Sequence, residues 1–334
     1  MALNSPTHGR RDGGSVRTIG VVVIVTVTPN PAFDASLPLP GTDPGSSHRI
    51  EAMLERAGGK GLNVAGILAC LGRDVVAAGP VGGTRANEFV QDARARGITA
   101  AFTPSPVATR RTVAVLEPDR DTLFIESGLP QPTSVWNDLV GEIAQLVRLG
   151  DVLAVSGSLP PTTSEDLIAR LCERAHAVDA LTILDTCGVP LLNALDYHPT
   201  VVSINEREAV SVVDSSDPVR AAHALVNLGA RSAVISCGAA GLVAVAPGVP
   251  TLSAALTKPI RGNPTGAGDA VTAALAACFD LADGADVESP SWWRDTLRKA
   301  VSWSAACVLQ PGAGFVEVAD VDRLNATIKI EEIS

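Results

Sequence analysis

A glycine turn followed by a single carboxylate stands near the C-terminal end of the chain. It reads Asn263-Pro264-Thr265-Gly266-Ala267-Gly268-Asp269, and an apolar run over residues 271–281 follows. The first backbone N–H groups of a helix have no internal partner, and with the helix dipole they attract anions. Glycines let an anion approach the backbone closely. A carboxylate beside bound phosphate suits phosphoryl transfer, in which a base accepts the proton of the attacking hydroxyl.

Taken alone, this segment is also compatible with a glycine-rich helix start in which Asp269 is a capping anion. A second segment changes that balance; it reads Ala57-Gly58-Gly59-Lys60-Gly61-Leu62-Asn63. Its glycines would let a polyhydroxylated ligand lie against the backbone, and Asn63 can both donate and accept hydrogen bonds. Its spacing is not that of a Walker A loop. The second segment thus favours the catalytic interpretation of the first over the capping one.

The two segments resemble the ribokinase-like sugar kinases, also called the phosphofructokinase B family. Further segments match that family in order, and several are similar to its 1-phosphofructokinase and tagatose-6-phosphate kinase branch. They are Thr26-Val27-Thr28-Pro29-Asn30-Pro31-Ala32-Phe33-Asp34, Pro44-Gly45-Ser46-Ser47-His48-Arg49, Ser156-Gly157-Ser158-Leu159-Pro160-Pro161, Asn205-Glu206-Arg207-Glu208 and Ser236-Cys237-Gly238-Ala239-Ala240-Gly241. The resemblance extends from about residue 21 to residue 321.

The pattern of elements predicts an α/β fold. Apolar helical stretches (62–71, 87–96, 135–149, 164–177 and 218–228) alternate with short β-branched runs (19–27, 75–78, 152–156, 182–184, 201–204 and 233–236). This alternation is typical of a mainly parallel sheet covered by helices on both faces. The resemblance implies a ribokinase-like three-layer α/β/α domain over residues 19–330. Residues 1–18 are polar and are predicted to form a disordered tail.

Two stretches, at about residues 35–56 and 108–127, lack helical periodicity and resemble hairpin or edge strands. In the family such pieces form a small β-sheet lid over the sugar site, and the resemblance allows a homodimer through this lid. We treat the lid as an insertion into one domain.

Composition limits the partners. The 334 residues carry a formal net charge of −10, which argues against a nucleic-acid partner because such partners need a basic surface. No stretch is long and apolar enough to predict a membrane span. The six cysteines form no CxxC pair, so we expect buried, reduced thiols of a cytosolic protein rather than a metal cluster.

The resemblance implies a role for each motif residue. The transferred phosphoryl group would pass Gly266, Ala267 and Gly268, with Asp269 as the base. ATP would contact Asn205, Ser236, Gly238 and Gly241 together with Gly266 and Gly268. Mg²⁺ is implied because it bridges nucleotide phosphates, and Glu208 would reach it through water; as an alternative, Glu208 is an ordinary exposed helix residue. The sugar would contact Asp34, Gly58, Gly59, Lys60 and Asn63, with Arg110, Ser158 and Arg49 on its phosphate.

Arg110 decides which kind of sugar is expected. A guanidinium fork suits a phosphate dianion, and Arg110 lies at the start of a predicted lid strand. Arg111 should point to the opposite face of that strand. The sequence therefore predicts a sugar-phosphate kinase most similar to 1-phosphofructokinases, with tagatose-6-phosphate kinase and a kinase of unphosphorylated hexose as alternatives. A dehydrogenase is disfavoured because no G-x-G-x-x-G motif follows the first strand. A noncatalytic sugar sensor should have lost the equivalent of Asp269.

The chain also departs from the family pattern. Ser203-Ile204 replaces a frequent Lys-Pro, which removes a positive contact expected for a nucleotide phosphate. Cys187 stands where serine is usual, and Ser46-Ser47 leave the lid without a lysine. Ile125 replaces a common asparagine. None of these changes touches residues 266–269, so the predicted catalytic turn is intact.

Overall fold

The computed structural model describes residues 23–43, 45–51, 53–118, 121–281 and 287–333. The predicted tail over residues 1–18 lies outside the described residues. The strands are β1 (Ile24–Val27), β2 (Ala32–Pro38), β3 (Leu54–Gly58), β4 (Val75–Gly82), β5 (Thr99–Ser105), β6 (Arg110–Leu116), β7 (Asp121–Ile125), β8 (Val152–Ser156), β9 (Leu181–Asp185), β10 (Val201–Asn205), β11 (Ala233–Ser236), β12 (Leu242–Val245), β13 (Leu252–Leu256) and β14 (Ile328–Glu332).

The helices are α1 (Lys60–Cys70), α2 (Ala86–Ala95), α3 (Thr133–Leu146), α4 (Leu167–His176), α5 (Val189–Leu195), α6 (Glu206–Val213), α7 (Pro218–Asn227), α8 (Ala267–Asp280), α9 (Pro290–Val308) and α10 (Val318–Asn325). Among the described residues, none of these helices has the length and apolar character needed to cross a bilayer.

The strands form one large sheet and one small sheet. The large sheet has the order β14-β13-β12-β11-β10-β9-β8-β1-β4-β5. It is parallel from β5 to β11, and β12, β13 and β14 add an antiparallel edge. The central strands are short Val, Ile and Ala runs that are buried on both faces, as parallel strands between helices must be. The predicted α/β class with a mainly parallel sheet is therefore correct.

Helices cover both faces of the large sheet. One face packs against α1, α8 and α9, and the other against α3, α4, α5 and α7. Helix α8 is buried continuously from Asp269 to Phe279, so it is apolar on all sides and lies at the centre of its layer. The predicted three-layer arrangement is present.

The small sheet has the order β3-β2-β6-β7. Strands β2 and β6 are parallel, and β3 and β7 pair antiparallel to them. This sheet contains the strands of both predicted lid segments, although β2 begins at Ala32 and β3 ends at Gly58, beyond the predicted bounds. One face of this sheet borders the cavity described next.

Candidate functional site

Two cavities meet at the start of α8. The larger has a volume of about 860 Å³ and the smaller about 450 Å³. Both are bordered by Ser236, Asn263 and Gly268. The smaller cavity lies under the small sheet, which we call the lid from here on. A group bound in one cavity can therefore meet a group bound in the other at the glycine turn.

The glycine turn adopts the geometry that its residue types predict. Gly266 has φ 84° and ψ 0°, a left-handed conformation that favours glycine, and a Cβ there would lie 2.8 Å from the Cβ of Ala313. At Gly268, in the first turn of α8, a Cβ would meet nothing within 4 Å. Gly266 is thus required by the backbone and the local packing, whereas Gly268 leaves open space at the helix N-terminus.

Asp269 lies in the first turn of α8 and is only 5% exposed. The side-chain amide of Asn63 donates a hydrogen bond of 2.9 Å to its Oδ2. Burial raises the pKa of Asp269 to about 7, and the nearby carboxylate of Asp185 adds to the rise, while Lys60 and the Asn63 hydrogen bond oppose it. A carboxyl group with a pKa near neutrality can accept a proton and release it again.

Lys60 joins three elements at the floor of the smaller cavity. Its Nζ lies 3.0 Å from Asp185 Oδ1 and 3.0 Å from Glu208 Oε1. Burial alone would lower the pKa of Lys60, yet the charges of these carboxylates raise it above its ordinary value, so the ammonium stays charged. Burial also raises the pKa of Asp185, whose Oδ2 has no hydrogen-bond partner in the structure. That oxygen is buried, and the Asp185 side chain borders the smaller cavity.

Glu208, the residue predicted to reach a metal through water, completes the N-terminal cap of α6. Its backbone N–H donates to Asn205 Oδ1 at 2.9 Å, and its Oε2 accepts from the Asn205 N–H at 3.1 Å. This reciprocal pair is a capping box. Glu208 also borders the smaller cavity. It therefore holds a structural cap, and its carboxylate still faces the site.

Asp34 enters the smaller cavity from the middle of the lid. Its Oδ2 accepts a hydrogen bond of 3.2 Å from the Gly59 N–H. A Cβ at Gly58 would lie 2.1 Å from the same oxygen, so only glycine fits there. Burial raises the pKa of Asp34, against hydrogen bonds from Gly59 and Thr112 and the charge of Arg110. The glycine segment and the lid carboxylate thus form one surface.

The two lid arginines point to opposite sides, as strand alternation predicts. Arg110 borders the smaller cavity, and its Nε and Nη1 donate to the carbonyl oxygens of Asn30 (3.1 Å) and Glu126 (2.7 Å). Arg111 instead forms an ion pair with Glu55, with 2.9 Å between Nε and Oε1. The carbonyl contacts fix the Arg110 guanidinium without neutralising its charge.

The structure also places the remaining residues that the sequence analysis named. Asn205, predicted on the nucleotide side, borders the smaller cavity because it caps α6. Arg49, predicted to contact the sugar phosphate, is exposed and borders neither cavity. It follows the irregular chain between β2 and β3, which leaves this side chain in solvent. Ser158 borders the smaller cavity, and Gly238 and Gly241 border the larger one.

Several cavity residues were given no role from the sequence, although all of them except Ala313 lie within the segments quoted above. Thr28, Asn30, Asn263, Thr265 and Ala313 border the smaller cavity. Thr28 and Asn30 are polar and yet buried, and buried polar side chains often belong to a site. The sequence alone does not show this burial.

The larger cavity has a different character. Its wall contains apolar side chains of α9 and β13 and several glycines. The apolar members include Leu242, Leu256, Ile260, Val301, Ala305, Val308 and Leu309. A cleft with such a wall that reaches a helix N-terminus suits a ligand with a flat apolar part and an anionic tail. Within the described residues, no group of three or more His, Cys, Asp or Glu side chains could hold a metal ion unaided.

A cleft that suits such a ligand, a cavity lined by hydrogen-bonding side chains under a lid and a buried carboxylate beside the glycine turn are the arrangement that a kinase of a small hydroxylated substrate needs. The comparisons with known proteins give the family. The model for the pfkB family of carbohydrate kinases matches residues 27–319, and the chain belongs to this family. It is a carbohydrate kinase.

Relatives agree in sequence and in fold. The chain is 35% identical over 275 residues to a protein of Xanthomonas campestris pv. campestris named 1-phosphofructokinase, covering 79% of this chain and 86% of that one. Among solved structures it is similar to the tetrameric inhibited form of Escherichia coli phosphofructokinase-2, with a TM-score of 0.80, 24% identity and coverage of 92% and 98%. It is also similar to Arabidopsis thaliana ribokinase complexed with ribose and ATP, with a TM-score of 0.68, 20% identity and coverage of 92% and 99%. These structural likenesses show the ribokinase-like fold.

Proposed function

We propose that this carbohydrate kinase transfers the γ-phosphoryl group of ATP to a hydroxyl of a sugar phosphate, and that its substrate is fructose 1-phosphate. The observation that carries the proposal is the position of Gly268 and Asp269 where the two cavities meet. The turn offers unpaired N–H groups to an anion, and Asp269 offers a buried base beside it.

ATP is assigned to the larger cavity, with its phosphates directed to the N-terminus of α8. The apolar wall from α9 suits the adenine ring, and Ser236, Gly238 and Gly241 leave room for the ribose and phosphates. The sugar phosphate is assigned to the smaller cavity, which is lined by hydrogen-bonding groups. Asp34 and Asn63 would bind sugar hydroxyls there.

The charge at Arg110 supports a substrate that already carries a phosphate. Arg110 presents a guanidinium at the cavity edge that is held by backbone carbonyls, and Ser158 borders the same cavity. The 35% identity to a protein named 1-phosphofructokinase supports fructose 1-phosphate. Tagatose 6-phosphate, or an unphosphorylated hexose, is the alternative acceptor.

Mg²⁺ fits this site as a companion of the nucleotide. Mg²⁺ is commonly held by one or two carboxylates, waters and substrate phosphates, and the unpartnered Oδ2 of Asp185 and the nearby Glu208 supply such a donor set. When bound, Mg²⁺ would neutralise charge on the nucleotide phosphates.

The chain's own residues perform the remaining steps. Asp34 and Asn63 orient the acceptor, and deprotonated Asp269 takes the proton of the attacking hydroxyl. The backbone N–H groups at Gly268 stabilise charge that develops on the transferring phosphoryl group. Lys60, held by Asp185 and Glu208, contributes a fixed positive charge at the cavity floor.

We also propose a homodimer through the lid. The lid strands and the chain beside them expose apolar side chains that a monomer would leave in water. They are Ile50, Met53, Leu54, Leu123, Phe124 and Ile125, which are 47–61% exposed. A cytosolic location remains a prediction, and six free cysteines are in keeping with a reducing compartment.

The test is a panel of fructose 1-phosphate, tagatose 6-phosphate, fructose 6-phosphate and free fructose with ATP and Mg²⁺, followed by coupled detection of ADP. We expect the highest kcat/KM with fructose 1-phosphate. A higher kcat/KM with tagatose 6-phosphate or free fructose would replace the proposed substrate, and no ADP with any sugar would refute the proposed class of reaction.

A further inference from the structure

The back of the lid carries an ionic bridge to the body of the protein. Glu55 on β3 accepts a hydrogen bond of 2.8 Å from Arg85 through Oε2, and its Oε1 is ion-paired with Arg111 on β6 at 2.9 Å. The Glu55 side chain is only 16% exposed. The Arg85 contact, together with the charges of both arginines, outweighs burial and lowers the pKa of Glu55 below its ordinary value. Glu55 thus stays charged and links Arg85, beside α2, to Arg111 on the lid strand β6.

Strand register shows why the bridge lies behind the site. Phe33 pairs with Arg111, and Ala35 pairs with Glu55, so these residues share one face of the lid sheet. Their chain neighbours Asp34 and Arg110 lie on the other face and border the smaller cavity. The lid therefore presents one face to the proposed sugar-phosphate cavity and is held in place through the other.

Helix α2 is the element to which the lid is fastened. Arg85, the residue before α2, also lies over the Phe33 ring at 3.9 Å, and Phe89 packs edge-on against the same ring. Farther along α2, Asp92 Oδ2 accepts from the Ala57 N–H and Arg96 donates to the Ala57 carbonyl. Ala57 directly precedes Gly58 and Gly59, which contact Asp34. Helix α2 and the residues that flank it thus contact both the lid and the start of this glycine segment.

We propose that Glu55 is a positioning residue for the sugar phosphate, acting through Arg111 on Arg110. The bridge fixes the position of β6 relative to α2. Arg110 follows this register because it begins β6, and its own contacts are to the carbonyls of Asn30, just before β2, and Glu126, just after β7. The inference rests on the proposed sugar-phosphate site.

The test substitutes Glu55→Gln, which keeps the shape and removes the charge. We expect KM for fructose 1-phosphate to rise about 5- to 10-fold, the effect of losing a partly buried charged contact. KM for ATP and kcat should stay near wild type. Isothermal titration calorimetry with fructose 1-phosphate alone should show the same weakening without catalysis.

Glu88→Gln is the matched control. Glu88 contacts the same Arg85 guanidinium, at 2.6 Å from Nη2, but it lies on α2 and its side chain is 59% exposed. It should leave KM for the sugar phosphate unchanged. An equal rise in both variants, or unchanged KM and binding in Glu55→Gln, would overturn the proposal. So would an equal loss for ATP and sugar together with a lower melting temperature, the signature of general destabilisation.

If Glu55→Gln does not fold, Arg111→Lys replaces it and is judged by the same criteria, since it keeps the charge but shortens the reach to Glu55. The wild type tests the proposed function separately. If it does not phosphorylate fructose 1-phosphate, the proposed function has failed, and the same variant ratios are measured with whichever acceptor the wild type uses.

Discussion

Replacing Asp269 with asparagine separates its chemical role from its structural one. The amide keeps the size of the side chain and its carbonyl can still accept the Asn63 hydrogen bond, which is 2.9 Å in the wild type. It cannot take a proton from the acceptor hydroxyl. We therefore expect Asp269→Asn to lower kcat about 10²- to 10⁴-fold with little change in either KM.

The same substitution should stabilise the fold. The native pKa of Asp269 is about 7 against an ordinary value of 3.8. That difference corresponds to an upper limit of about 4 kcal/mol for the cost of burying the charge. Because the raised pKa favours the protonated form, the cost is fully present above pH 7 and disappears as pH falls towards 4. Asp269→Asn should thus raise the free energy of unfolding by about 1–4 kcal/mol at pH 8 and by much less at pH 4.

The assay pairs steady-state kinetics with urea unfolding at the two pH values. Folded Asp269→Asn that keeps more than about a tenth of wild-type kcat would show that Asp269 is not the base. A variant that is inactive and less stable at pH 8 would refute the argument from burial. A capping role alone predicts lost stability with nearly full activity.

Three further predictions follow from the same geometry. Gly268→Val should abolish turnover in a folded protein, because its side chain would fill the open space at the helix N-terminus. Gly266→Ala should instead lower the melting temperature, since its Cβ would approach Ala313. Normal turnover in Gly268→Val would show that the transferred phosphoryl group does not pass this turn. Arg110→Ala should raise KM for fructose 1-phosphate roughly 10- to 150-fold and leave KM for ATP unchanged. Arg49→Ala, at an exposed position, should change neither KM. Equal effects of the two substitutions would mean that overall positive charge, and not a specific contact of Arg110, sets KM. Wild-type kcat/KM should fall as pH drops through about 7, because protonated Asp269 cannot act as a base; a flat profile from pH 6 to 8 would contradict the raised pKa.

The sequence predicted the parts of the fold that repeat a simple local pattern. Strands such as β8 and β11 match their predicted bounds because a buried parallel strand is a continuous run of β-branched and small residues. Strand β4 continues to Gly82, past the predicted end at residue 78. Gly79-Pro80 resembles a turn, yet Gly79 is needed because a Cβ there would lie 2.2 Å from the Thr28 carbonyl oxygen. This close approach depends on tertiary structure, so the local sequence could not predict it.

The antiparallel edge and two long-range site contacts could not be predicted in this way. Strands β12, β13 and β14 are short, and β14 (Ile328–Glu332) pairs with β13 (Leu252–Leu256) across two intervening long helices. Lys60 was identified from its motif, but its partners Asp185 and Glu208 are 125 and 148 residues away. The motif that contains Arg49 sets its position in the chain, but the path between β2 and β3 decides where its side chain lies, and there it is exposed.

The stereochemistry at phosphorus tests the central claim most directly. In our account one transfer takes the γ-phosphoryl group from ATP to the acceptor hydroxyl, with Asp269 as base, and the attacking and leaving oxygens lie in line. Transfer from ATP made chiral at the γ-phosphorus with oxygen isotopes to fructose 1-phosphate should therefore proceed with inversion of configuration. Retention would require two transfers through a phosphorylated enzyme group, with a residue such as Asp269 acting as the nucleophile, and would contradict the account.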